Sequence, residues 1–191
     1  MRTKIISLTF LFPACLTFAA PYAFDFGTAE SPLHSGAVLV TPAGNKQAVW
    51  KSADKREARS NPIIREWTLN QHTGKKNPPR SYQTELTCDH VHARHDETLT
   101  LAVPAGEYKL LILSGRSGSR AEHVFDIRVT ADGGGSASAT FAGGHELRAL
   151  YLDTVAGQDG IVLNIATRSR WLINALIAVP AGNVTIHGVR C

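Results

Sequence analysis

From about residue 97 onward the chain is a succession of short apolar or alternating runs cut by turn residues. Thr98 to Val103 alternates, which in a strand sends successive side chains to opposite faces. Val103-Pro104-Ala105-Gly106 then places Pro and Gly where a type I turn takes them, and Glu107 to Leu113 resumes the pattern, so a hairpin is expected. His123 to Thr130, Ser136 to Phe141 and Glu146 to Asp153 follow, separated by Asp132-Gly133-Gly134-Gly135 and Ala142-Gly143-Gly144. They are expected to form a three-stranded meander. Asp159 to Ala166, Trp171 to Val179 and Val184 to Val189 complete the series. With no long amphipathic helical stretch among them, these strands predict an all-β sandwich or barrel. The triplet Pro-Ala-Gly recurs at 42–44, 104–106 and 180–182 at unequal intervals, which is repeated turn chemistry and not a repeat architecture.

Two segments depart from the pattern. Residues 1–20 carry Arg2 and Lys4 ahead of an apolar stretch interrupted by Pro13 and ending at Ala19-Ala20. This is the make-up of a secretory signal, too short and Pro-broken to span a bilayer. Cleavage is expected near Ala19 to Ala23; a lipoprotein signal acylated at Cys15 is the alternative. The expected organisation is therefore a signal over 1–20 and a single domain over 21–191, secreted or periplasmic. The second departure is 52–81, polar, basic and closed by Asn77-Pro78-Pro79, which predicts a long irregular loop.

Composition narrows the class without choosing a ligand. The 191 residues are 43% apolar, 19% charged and 7% aromatic, as in ordinary globular proteins. Nine basic residues against three acidic ones between 46 and 80 give that stretch a local excess of positive charge. On an exported protein such a patch fits acidic polysaccharide or lipopolysaccharide better than nucleic acid; a solvated surface loop is the alternative. Beyond the signal, Cys88 and Cys191 remain, and in an oxidising compartment such a pair is expected to form one disulfide.

Three segments carry a family resemblance. Phe24-Asp25-Phe26-Gly27-Thr28-Ala29-Glu30-Ser31-Pro32-Leu33, the run from Glu85 to His90 with Thr98 to Lys109, and Trp171-Leu172-Ile173-Asn174-Ala175-Leu176-Ile177 resemble secreted galactose-binding-like β-sandwich modules. Such modules occur beside rhamnogalacturonan acetylesterases and polysaccharide lyases. The resemblance implies a jelly-roll sandwich acting as a carbohydrate-binding module, often with a structural calcium ion, for which Asp25, Asp89 and Glu85 are the acidic candidates. The chain departs from the family where Ala48-Val49-Trp50-Lys51 replaces a Tyr-Gly-aromatic block. It also lacks a Gly-Asp-Ser block, and Ser114-Gly115-Arg116-Ser117-Gly118 has the wrong spacing for a nucleophile elbow.

Sugars stack their C–H faces on exposed aromatics while their hydroxyls pair with Asn, Asp and Arg. Trp50, Trp67, Tyr82 and Trp171 are the available aromatics. Trp67, in the basic stretch, is the expected platform; Trp171 heads an apolar strand and fits either ligand contact or packing. Asn174 and Asp89 complete the expected sugar-binding set. A second constellation, Cys88-Asp89-His90-Val91-His92-Ala93-Arg94-His95-Asp96-Glu97, puts His90 and His92 on one face of a strand, a common start of a metal site. With Glu97 it matches the His-x-His-x4-Glu spacing of a cupin motif, but Thr84 stands where Gly is expected. The leading expectation is a secreted, non-catalytic module that binds a polysaccharide or oligosaccharide, alone or beside a carbohydrate-active enzyme, with no nucleic acid and no membrane span. The alternatives are a metal-dependent cupin-like enzyme using His90, His92 and Glu97, and a structural or interaction sandwich without a sugar site.

Overall fold

The alternating runs do become strands, and their pairing sorts them into three sheets. The computed structural model describes residues 20–51, 56–60, 86–87, 89–117, 124–142 and 145–182. Among them the strands are β1 (Tyr22–Phe26), β2 (Val38–Val40), β3 (Ala48–Lys51), β4 (Glu57–Ser60), β5 (Asp89–Ala93), β6 (Glu97–Leu101) and β7 (Gly106–Ser117). The chain continues through β8 (Val124–Ala131), β9 (Ser136–Ala142), β10 (His145–Ala156), β11 (Ile161–Ala166), β12 (Trp171–Ile173) and β13 (Ala175–Pro180). One five-stranded sheet has the order β10-β7-β13-β1-β2, a second the order β3-β6-β11-β8-β9, and a short third sheet the order β12-β5-β4. Only the β1–β2 pair is parallel; the other named pairs are antiparallel.

Period-two patterning explains the layering. In β8, Phe125, Ile127, Val129 and Ala131 are buried while Val124, Arg128 and Thr130 face water; in β6, Leu99 and Leu101 are buried between the less buried Thr98 and Thr100. The inner faces of the two large sheets close on one core that includes Phe24, Phe26, Leu110, Ile112 and Leu176 from the first and Leu99, Ile127, Leu163 and Ile165 from the second. This is a β-sandwich, as the pattern predicted. β5 is buried along its whole length, because β12 and β4 flank it and the core lies beneath it.

Several local expectations are corrected. β6 and β7 do not make a hairpin: β3 and β11 occupy both edges of β6, so the chain crosses at Pro104 into the other sheet. The meander also breaks, since β10 leaves β9 to pair with β7 over twelve positions. The run from Trp171 to Val179 is two strands, divided at Asn174 between the third and first sheets. Within the expected loop over 52–81, residues 57–60 form β4 against β5, while 52–55 and 61–81 lie outside the described residues, as do 1–19 and the run from Val184 to Val189. Among the described residues there is no disulfide bond, and the expected Cys88–Cys191 bridge is withdrawn as a feature of this fold. Both cysteines lie outside the described residues. Sequence pairing by elimination carries no distance information, whereas a disulfide needs Cα atoms within about 7 Å.

The division at Asn174 is held by its side chain. The amide is fully buried; its Nδ2 donates to the Asp89 carbonyl at 2.6 Å and its Oδ1 accepts from the Gly115 N–H at 2.7 Å. Its own backbone N–H donates to Leu113 O at 2.9 Å, and its carbonyl accepts from the Phe26 N–H at 2.8 Å. One residue thus ties β1, β5 and β7 at the point where the chain changes sheets. Asn174→Ala leaves a buried N–H and a buried carbonyl without these partners, a loss of about 1–3 kcal/mol for each group that water cannot reach. A fall in the urea unfolding midpoint at unchanged slope is the expected result.

Where β6 crosses to β7, the Tyr108 hydroxyl donates to Pro104 O at 2.9 Å and its ring meets Tyr22 edge-on at 6.2 Å. Burial raises the Tyr108 phenol above its ordinary pKa, and Tyr22 pushes the same way. The folded protein therefore holds that proton more tightly than the unfolded chain does. This stability is complete below about pH 10, the unfolded value, and is lost as pH rises through the raised folded value. Tyr108→Phe is expected to flatten the alkaline decline of the urea midpoint.

Candidate functional site

The outward face of the second sheet is polar across its width. Lys51 on β3 stands opposite Thr98 on β6, Thr98 opposite Asn164 on β11, Asn164 opposite Thr130 on β8, and Thr130 opposite Ser136 on β9. The row is internally bonded where Thr98 Oγ1 donates to Asn164 Oδ1 at 3.0 Å and Asn164 Nδ2 donates to Asp132 Oδ1 at 2.8 Å. Beside this row the face opens into a cleft of about 300 Å³ walled by Asp96, Asp126, Arg128, Ser138, Thr140, Ala166, Thr167 and Arg168. Asp126 and Arg128 come from β8, Ser138 and Thr140 from β9, and the rest from the ends of β11 and β6. Period two along β8 and β9 puts all four of those strand residues on the solvent side.

Asp126 organises the cleft. Its Oδ1 accepts from Thr140 Oγ1 at 3.1 Å and its Oδ2 from the Arg168 N–H at 3.0 Å. Its backbone carbonyl accepts from Thr167 Oγ1 at 2.6 Å, and its N–H donates to Arg170 O at 2.9 Å. On the far side, the Thr167 N–H donates to Asp96 Oδ1 at 3.0 Å. Ser169 Oγ also donates to Val124 O, at 3.0 Å. The segment from Thr167 to Arg170 is therefore pinned to β8 at several points, which sets the cleft wall before any ligand arrives. The guanidinium groups of Arg128 and Arg168 donate no hydrogen bond to any described residue and pair with none of their carboxylates, and both residues are exposed. The arrangement offers fixed hydroxyls, two carboxylates already serving as acceptors, and two guanidinium donors facing water.

Of the residues expected to contact sugar, those that are described are core components. Trp171 is fully buried, stacks on Trp50 at 5.7 Å, and donates from Nε1 to His95 O at 2.8 Å. Its apolar strand puts it in packing, which removes it as a stacking platform. Asn174 is the buried stitch described above. Asp89 is fully buried on β5 against Gly27, where an added Cβ would stand 2.3 Å from its Oδ2. Trp67, Tyr82 and Glu85 lie outside the described residues.

The histidine run is also accommodated within the fold. β5 does put His90 and His92 on one face, with ring centroids 5.3 Å apart, and both are buried. Glu97, however, is committed elsewhere: its Oε2 takes Arg56 Nη1 at 2.8 Å and its Oε1 lies 2.7 Å from His95 Nε2. His92 Nε2 lies 3.5 Å from Glu57 Oε2. Among the described residues no group of three or more His, Cys, Asp or Glu side chains has the geometry of a metal site. The expected set His90, His92 and Glu97 therefore does not converge. Of the calcium candidates, Asp25 is buried on β1 and Asp89 on β5, and Asp25 Oδ2 accepts from the His34 N–H at 3.1 Å.

Sequence reading missed Asp96, Asp126, Arg128, Thr140, Thr167 and Arg168 as a group. The available signal was the alternation Asp126-Ile127-Arg128-Val129-Thr130, together with the polar run Thr167-Arg168-Ser169-Arg170 between two apolar strands. Read alone, such positions look like any solvated sheet face.

No family model matches the chain, and no curated protein matches it. Among solved structures, the plant receptor-like kinase FER superposes over 87% of this chain with a TM-score of 0.54 and 10% identity. The chain spans 44% of that protein's length. The CBM22-1-GH10 modules of Clostridium thermocellum xylanase Xyn10B, solved with xylohexaose, align over 75% of this chain and 28% of theirs at TM-score 0.41 and 12% identity. TmCBM61, solved with β-1,4-galactotriose, aligns over 67% of this chain and 86% of its own at TM-score 0.32 and 14% identity. At these identities the likeness is one of fold, and the chain is an all-β sandwich whose architecture recurs in FER.

Proposed function

We propose that the protein is an exported, non-catalytic β-sandwich that binds a polysaccharide in the cleft on its second sheet. The observation that carries this reading is the cleft itself: a preorganised surface of hydroxyl, carboxylate and guanidinium groups held in place by Asp126. Sugars are recognised by such convergent donors and acceptors, and holding them fixed beforehand lowers the ordering cost of binding. With Trp50 and Trp171 both inside the core and no aromatic in the cleft wall, hydrogen bonding rather than stacking supplies the contacts the cleft offers. Export rests on the signal-like residues 1–20. A setting beside an acetylesterase or a polysaccharide lyase rests on the sequence resemblance. No helix among the described residues is long and apolar enough to cross a membrane.

The test is affinity electrophoresis through gels containing neutral and acidic polysaccharides in turn. Retardation by at least one polymer is expected. Asp126→Ala, which releases Thr140 and the Arg168 backbone, is expected to weaken it about tenfold. Losing these half-exposed hydrogen bonds costs about 0.5–1.5 kcal/mol each at most, so the variant remains folded by circular dichroism. Equal retardation of the variant, or none by any polymer, overturns the proposal.

A further inference from the structure

We infer that the cleft is selective for a carboxylate-bearing sugar, with Arg128 and Arg168 as the carboxylate clamp. This rests on the polysaccharide-binding reading of the same cleft and deepens it by naming the ligand class.

The cleft holds unused binding capacity on its basic side. Both oxygens of Asp126 already accept, from Thr140 Oγ1 and the Arg168 N–H, and one oxygen of Asp96 accepts from the Thr167 N–H. The acidic side of the cleft is thus spent largely on holding its own wall. The basic side is not: no described residue engages either guanidinium. A guanidinium carries five donors in a planar fork and no acceptor, and stays charged at any physiological pH. Its best partner is a planar anion taken through two parallel N–H···O bonds, shorter and roughly twice as strong as neutral ones.

Arg128 rises from β8, whose neighbours β9 and β11 pair with it at Ser138 and Ala166. Arg168 sits on the segment whose backbone Asp126 fixes. The two cations therefore reach the same cleft from a strand and from a pinned loop. A uronic acid unit satisfies both kinds of group at once. Its carboxylate meets the guanidinium donors, and its ring hydroxyls meet Ser138, Thr140 and the remaining oxygen of Asp96. A neutral sugar leaves the two strongest donors with no anionic partner.

The sequence reading placed acidic-polymer recognition in the basic stretch from 46 to 80. One of those cations, Arg56, is already used inside the fold. It donates to Pro42 O from Nε at 2.9 Å, pairs with Glu97, and lies over the Trp50 ring at 5.1 Å. Selectivity rests on Arg128 and Arg168 instead.

Isothermal titration of the full mature chain tests this, with oligogalacturonate and alginate oligomers as acidic probes and a galactose oligomer of matched length as the neutral one. At least one acidic probe is expected to bind tenfold or more tightly than the neutral one, and to weaken as salt is raised. Arg128→Ala and Arg168→Ala should each lose about tenfold for the acidic probe, and Arg128→Lys should recover only part of it. Arg148→Ala removes the same charge from the other large sheet and should bind as the parent chain does. Equal affinity for acidic and neutral probes, or equal weakening by Arg148→Ala, overturns the selectivity. If the neutral oligomer binds as tightly as the acidic probes and Asp126→Ala weakens that binding, the polysaccharide reading stands while the carboxylate inference fails. Absence of binding by all three probes overturns the inference, and the wider gel panel then decides the polysaccharide reading separately.

Discussion

The sandwich depends on one buried amide. Asn174 lies where the chain steps from the short third sheet into the centre of the first, a place where neither sheet ladder can satisfy every backbone group. Its side chain supplies the missing donor to Asp89 O and the missing acceptor to the Gly115 N–H. In a water-free interior, groups of this kind are costly to leave unmade, so the amide specifies the crossing as well as stabilising it. The consequences reach the surface. The segment from Thr167 to Arg170 leads directly into β12, and once β12 is set against β5 that segment lies along β8, where Asp126 fixes it.

Beside the stitch, charge and aromatic packing are combined. Phe26 meets Trp50 edge-on at 6.2 Å, Trp50 stacks on Trp171, and Arg56 covers Trp50 while pairing with the buried carboxylate of Glu97. An ion pair shielded from water needs its remaining donors satisfied, and the Arg56 bond to Pro42 O does part of this. The same cluster anchors the turn at 42–44. There Gly44 adopts φ 73°, and an added Cβ would stand 2.6 Å from Ala48 O. Two tryptophans that could have served as sugar platforms are thereby spent on the core.

The candidate site follows from that division of labour. A sheet with one face in the core and the other in water needs polar residues at every second position, and most such residues merely keep the protein soluble. Here strand pairing sets Arg128 beside Ser138 and Ala166, and the pinned loop adds Arg168. What separates this patch from an ordinary solvated face is that its carboxylates are internally bonded while its guanidinium groups are not.

The all-β class and most strand positions after residue 97 were legible in the sequence. They depend on local alternation and turn chemistry, which adjacent residues carry. Pairing was not legible, because it depends on which strand edges are already taken: β6 had none left for β7, and β10 found a twelve-residue partner in β7. Nor did sequence show which side of the water boundary each aromatic and histidine would occupy, since Trp171, His90 and Asp89 read as ligand contacts until packing on all sides buried them. The cleft is the extreme case, with Asp96, Asp126, Thr140 and Arg168 spread over 73 positions of chain. The sequence by itself determined that this chain makes strands and where most of them run; only the tertiary structure decided their partners and the cleft they enclose, because proximity between distant residues arises from long-range pairing that no local pattern encodes.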